Sequence, residues 1–145
     1  PVPEIWPWEA RDAGAVVVAT GRSDFSNQVN NSLCFPGIFR GTLDVRATTI
    51  SDEMCFSAAD AIATRARRHA DFGPDRIVPT MEERELFGEI AAAVGMTAQE
   101  QGLARRTLSA AELQSSAMER IDRSRRMTEI LMEHGVIRDA PEDTQ

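Results

Sequence analysis

The sequence predicts an α/β fold in which one buried strand is followed by a largely helical chain ending in a helical tail. Three observations carry that prediction. Residues 15–20 (AVVVAT) form a short, almost wholly apolar and β-branched run between Gly14 and Gly21, the pattern of a parallel-sheet strand buried on both faces. The polar, turn-rich stretch 21–31 leaves the carboxyl end of that strand, which is where ligands bind in open α/β sheets. From residue 36 onward, apolar residues recur at helical spacing behind recognisable N-caps.

Taken in order, residues 6–12 make a helical turn or two, with Pro7 tolerated near the start. The strand and its loop follow. Pro36 then opens a short buried helix whose apolar positions are Ile38, Phe39, Leu43 and Val45. Ser51 is the N-cap of the next helix, Asp52 and Glu53 suit its first turn, and Met54, Ala58, Ala61 and Ile62 share one face. Arg65, Arg67, Arg68 and His69 close that helix as a solvated, dipole-complementing end. Residues 71–74 (DFGP) make a turn and residues 77–79 a short extended piece. The D-F-G triplet is a chance match to protein kinases, because no Gly-rich loop, lysine-bearing strand or H-R-D segment accompanies it. A helix over about residues 82–101 is supported by Leu86, Phe87, Ile90 and Val94, weakened by Gly95 and ended by Gly102 as its C′ residue. Ser109 and Glu112 form a capping box for the last helix, which carries Leu113, Ile121, Ile130 and Leu131 and stops at Gly135. Met118, Met127 and Met132 read as packing filler, and residues 138–145 as a frayed acidic end.

Composition narrows the function. With 145 residues, 42% hydrophobic and 27% charged, the chain is an ordinary globular domain with a modest core. Its net charge of −7 argues against a general attraction to nucleic acid or anionic lipid, so any anion site must be local. All 16 basic residues are arginine and tyrosine is absent, which removes Schiff-base, lysine-base and tyrosine-acid chemistry and leaves His69 and His134 as the histidine bases. Cys34 and Cys55 lack metal-ligand or disulfide spacing and read as free thiols of a reducing cytoplasm. No apolar run spans a bilayer. A chain that opens on Pro1-Val2-Pro3-Glu4-Ile5 reads as an excerpt. The same conclusion follows from the strand, since a lone parallel strand cannot satisfy its backbone and the G-x-G-x-x-G phosphate turn is absent. Either the sheet is completed elsewhere, or the chain is the second half of a dinucleotide-binding domain.

The chemistry-bearing stretch is residues 19–53. Its loop carries the side-chain amides of Asn27, Gln28, Asn30 and Asn31, which suit the carboxylate of a small acid or the amide of nicotinamide. Asn27 and Gln28 read as satisfying loop backbone, whereas Asn30 and Asn31 are evenly balanced between that role and ligand binding.

Residues 19–45 (ATGRSDFSNQVNNSLCFPGIFRGTLDV), followed by TISDEM at 49–54, closely resemble the cofactor-domain segment of bacterial-type NAD(P)-dependent malic enzymes. Residues 1–5 resemble the end of the family's A-N-P-x-P-E-I stretch, and Phe72-Gly73-Pro74 with Ile77-Val78-Pro79 its F-G-P-x-x-I-I-P. The resemblance covers roughly the first hundred residues and thins after Gly102. It divides the chain into residues 1–102, the C-terminal portion of a Rossmann-like NAD(P)-binding domain, and 103–145, a helical C-terminal extension. The arginine-rich stretch from Thr107 is unlike the short ending expected of the family. Ser26 stands where proline is usual, Thr80-Met81 replaces Lys-Pro, and Cys55 replaces a common lysine.

That resemblance implies oxidative decarboxylation of malate to pyruvate and carbon dioxide with reduction of NAD or NADP. It also implies a divalent metal, Mg or Mn, and a homo-oligomer. The family's lysine, tyrosine, metal ligands and A-N-P asparagine would all lie before Pro1, so the chain alone is expected to be inactive and to hold neither catalytic group nor metal. What carries over is Asn31, and after it Asn30, as amide donors to a malate carboxylate, with Thr20, Gly21 and Arg22 beside the nicotinamide. Arg22 and Arg40 are further carboxylate partners, Arg40 the weaker because a helix arginine is more often structural. The alternative is a non-catalytic assembly or binding module derived from a truncated malic enzyme. A different Rossmann dehydrogenase is disfavoured by the NQVNNSLCFPG run.

Overall fold

The structure is a computed structural model that describes residues 2–138. It is an assembly of helices: α1 (Pro7–Asp12), a 3-10 turn (Asn31–Leu33), α2 (Phe35–Asp44), α3 (Asp52–Arg67), α4 (Arg84–Glu100) and α5 (Ala110–Glu133). Residues 139–145, most of the acidic end read from the sequence, lie outside the described residues. Among the described residues no helix is long and apolar enough to cross a membrane.

α4 is the hub, packed by α2, α3 and α5, which touch one another far less. Small residues make this possible. Gly37 and Gly41, one turn apart, bring α2 nearly into backbone contact with α4. A Cβ built on Gly41 would stand 2.4 Å from the Ala91 carbonyl oxygen, and one on Gly37 2.5 Å from the Ile90 side chain. Gly95 leaves room for Leu113 of α5, 2.7 Å from where its Cβ would be. The glycine that weakened α4 on propensity is thus a position where Leu113 of α5 packs against it. Around these approaches Val45, Met54, Leu86, Ile90, Val94 and Leu113 are fully buried, each contributing about 1.5–3 kcal/mol.

The caps read from the sequence are present. The Ser51 Oγ accepts from the Met54 amide at 3.2 Å. At α5, the Ser109 amide donates to the Glu112 carboxylate at 2.8 Å, while the Glu112 amide returns a bond to the Ser109 hydroxyl. Gly102 ends α4 in the left-handed region, φ 69°.

Three expectations are corrected. Residues 15–20 form no strand; among the described residues there are only isolated bridges, Thr20 to Gln28 in parallel and Gly73 to Arg76. Val16 and Val17 are 73% and 47% exposed rather than buried, because among the described residues no neighbouring strand pairs their backbone. On α2 the buried face is Gly37, Ile38, Gly41 and Asp44, while Phe39 and Leu43 are exposed. Helix approach through glycine, rather than bulk apolar contact, selects that face. On α5 only Leu113 and Ala117 are buried, and Ile130 and Leu131 lie exposed.

Candidate functional site

The loop after residue 20 is anchored by its first asparagine. Asn27 is buried in a left-handed conformation, φ 57°, which asparagine tolerates better than most residues. Its Nδ2 donates to the carbonyls of Val18 (3.0 Å) and Pro74 (2.6 Å), and its Oδ1 accepts from the Ile77 amide at 2.9 Å. This is the backbone-satisfying role read for it. Gln28 reaches the Gly21 carbonyl at 3.4 Å.

Thr20, Gly21 and Arg22 line a cavity of about 280 Å³ whose other wall is residues 2–5. The Thr20 hydroxyl accepts from the Arg22 amide at 2.8 Å, and a Cβ at Gly21 would meet nothing within 4 Å, so the backbone there is open. The Arg22 guanidinium grips Asp24 with two bonds, at 2.8 and 2.6 Å, and lies over Trp6 and Phe25 at 5.7 and 5.6 Å. That fork holds the Asp24 carboxyl below the usual carboxylate range.

Asn30 lines a second and larger cavity, about 700 Å³, shared with Asn27, Arg76 and residues 78–82. Its Oδ1 caps the 3-10 turn by accepting from Ser32 at 3.0 Å. Asn31 lies beside it, exposed, and its carboxamide makes no hydrogen bond among the described residues. The structure therefore separates the candidates: Thr20, Gly21 and Arg22 on one cavity, Asn30 on another, Asn31 on the surface between segments. Arg40 does not join them, since it pairs with the buried Asp44 one turn along α2.

One cluster escaped the sequence reading. The end of α3 is not simply solvated: Arg65 forms ion pairs with Glu83, Glu85 and Glu89 at 3.0–3.3 Å, and Arg68 with Glu89 at 2.7 Å. Glu83 also accepts from the Thr80 amide and faces His69, both at 2.9 Å. Burial pushes the Glu83 carboxyl up, but Thr80, Arg65 and His69 outweigh it, and the net result lies below the usual range. The signal available in the sequence was the acidic run opening α4 against the basic run closing α3.

What the arrangement offers is neutral amide donors, open backbone and an arginine already engaged by carboxylate. Among the described residues no three His, Cys, Asp or Glu side chains are grouped to hold a metal ion, so the donor set here does not fit one.

Comparison with known proteins matches residues 14–99 to the family model described as malic enzyme, NAD binding domain. A bifunctional malic/malolactic enzyme of Bacillus subtilis is 50% identical over 113 residues, 78% of this chain and 27% of its own length. The NAD-dependent malic enzyme of Rhizobium meliloti is 45% identical over 122 residues, 74% of this chain and 16% of its own. The crystal structure of Entamoeba histolytica malic enzyme superposes with a TM-score of 0.90 at 45% identity, covering 99% of this chain and 30% of that one. The chain thus spans less than a third of each. That superposition extends into the described part of the stretch after Thr107.

Proposed function

The chain belongs to the malic enzyme NAD-binding domain family, and on that premise we propose that it is the C-terminal part of that domain within a longer, homo-oligomeric cytoplasmic enzyme. That enzyme oxidatively decarboxylates malate to pyruvate and carbon dioxide. In this reading residues 1–102 complete the cofactor domain and residues 103–145 extend it. Residues 15–20 become a sheet strand when the rest of the domain supplies neighbours, which accounts for the exposed Val16 and Val17.

Bound NAD or NADP supplies the hydride acceptor. Thr20 and Gly21 offer open backbone beside the nicotinamide, and the stacked, Asp24-bound Arg22 stiffens that wall without presenting an uncompensated charge. Asn31, with Asn30 next to it, donates to a malate carboxylate. The metal, the base and the acid come from other parts of the polypeptide. The single observation that carries this assignment is the contrast between two amides of one loop. Asn27 spends both ends of its carboxamide inside the fold, while that of Asn31 makes no hydrogen bond among the described residues.

The second reading, an assembly module that docks on a complete subunit, draws on the exposed apolar residues Phe39 and Leu43 of α2. A chimera distinguishes the two: the matching segment of the B. subtilis relative is replaced by this chain, and malate-dependent reduction of NAD or NADP is measured. The enzyme reading expects turnover by the chimera and none by the chain alone. A folded, inactive chimera would favour the assembly reading, and robust turnover by the chain alone would defeat both.

A further inference from the structure

We propose that the groove where α2, α4 and α5 meet binds a small organic phosphate, its dianionic head held by arginines and its apolar body by the groove wall. The groove holds about 500 Å³, within the range of small-molecule sites. Arg40 of α2, Arg84 at the start of α4, and Arg120 and Arg125 of α5 all line it. The chain as a whole has a net charge of −7, so this wall reverses the sign of the molecule locally.

Two of the four charges are compensated: Arg40 pairs with Asp44, and Arg84 with Asp122 at 3.3 Å. Arg120 and Arg125 have no acidic partner among the described residues. Their neighbour Arg126, by contrast, pairs with Glu129 and Glu133 and stays out of the groove. The buried Arg40 Nε also lacks an acceptor. The surplus is therefore about two positive charges, matching the charge of about −1.5 to −2 that a phosphoryl group carries near neutrality, and guanidinium forks suit its oxygens. Phe87 and Ile121 supply the apolar wall. A phosphate ester keeps its charge on one head and offers its body to that wall, whereas a short dicarboxylate has no apolar body to bury. Of its lining residues only Met81 also borders the cavity at Asn30, and none lies at Thr20–Arg22. Met81 apart, the groove is therefore lined independently of the cavities at Asn30 and at Thr20–Arg22.

The test is calorimetric titration of phenyl phosphate into the polypeptide that carries this chain, with NAD+ saturating and malate absent. This isolates the groove from the dinucleotide site and from the proposed activity. Saturable binding is expected, weakened about tenfold or more in the Arg120→Gln/Arg125→Gln double variant and less than about twofold in Arg126→Gln. Arg120 and Arg125 are exposed, so the double variant retains the fold, and an unchanged thermal melt verifies this. Inorganic phosphate should compete more weakly, having no body for the apolar wall. Three results would each overturn the proposal: no saturable binding, equal binding by the double variant, or succinate binding more tightly than phenyl phosphate with the same dependence on Arg120 and Arg125.

Discussion

The Asn27 side chain holds the Ile77 backbone across fifty positions of sequence, its Oδ1 accepting the Ile77 amide at 2.9 Å. With the bonds to Val18 and Pro74, this makes the loop and residues 74–77 one unit. Removing the amide leaves three part-buried backbone groups without their partner, so Asn27→Ala should cost roughly 1–3 kcal/mol. Asn27→Gly loses the same bonds but keeps the left-handed backbone, and should be milder by about 1 kcal/mol. Urea denaturation of the intact protein measures both. A loss below about 0.5 kcal/mol in Asn27→Ala would contradict the tether.

Gly41 and Gly95 both face close neighbours, but of different kinds. A Cβ at Gly41 meets the Ala91 carbonyl oxygen, whereas one at Gly95 meets mainly the terminal carbons of Leu113. Backbone cannot step aside and a leucine can. Gly41→Ala should therefore cost about 2–3 kcal/mol by forcing α2 from α4, and Gly95→Ala distinctly less. Thermal melts that rank them the other way would refute this packing account.

The Glu83 cluster gives stability a pH dependence of definite sign. Its carboxyl is held low in the fold, so the contribution is present above the unfolded value of about 4.3 and fades as pH falls through the lower folded value. Glu83→Gln should be destabilised at pH 7, and the gap to the parent should close as pH drops below about 4.3. A gap that stays constant down to acid unfolding would show that the charge of Glu83 is not what ties α3 to α4.

Local signals were legible in the sequence, and signals that need a partner were not. The Ser51 cap, the Ser109 and Glu112 capping box and the left-handed Gly102 each depend on a few adjacent residues, and each is where it was expected. The apolar run 15–20 was misread as a formed strand because its pattern reports what it would do in a complete sheet, not what this chain provides. The α2 face was misread because Phe39 and Leu43 outweigh two glycines on any hydrophobicity scale, while the glycines are what fit α4. The arginines ending α3 were read as solvated because their acidic partners lie 18–24 positions away. Within the loop, the sequence set Asn27 and Gln28 apart as backbone-satisfying but left Asn30 and Asn31 evenly balanced. The structure separates the four amides by what each already binds.

Asn31 carries the proposed contact with malate, and the decisive measurement is the malate kinetics of Asn31→Ala in the active B. subtilis chimera. Loss of one charge-assisted hydrogen bond to a substrate carboxylate should lower kcat/KM for malate by roughly ten- to a hundredfold. Nucleotide affinity measured without malate should change far less. Malate kinetics unchanged in Asn31→Ala, with Asn27→Ala abolishing them in a protein of undiminished stability, would contradict the assignment of roles within the loop.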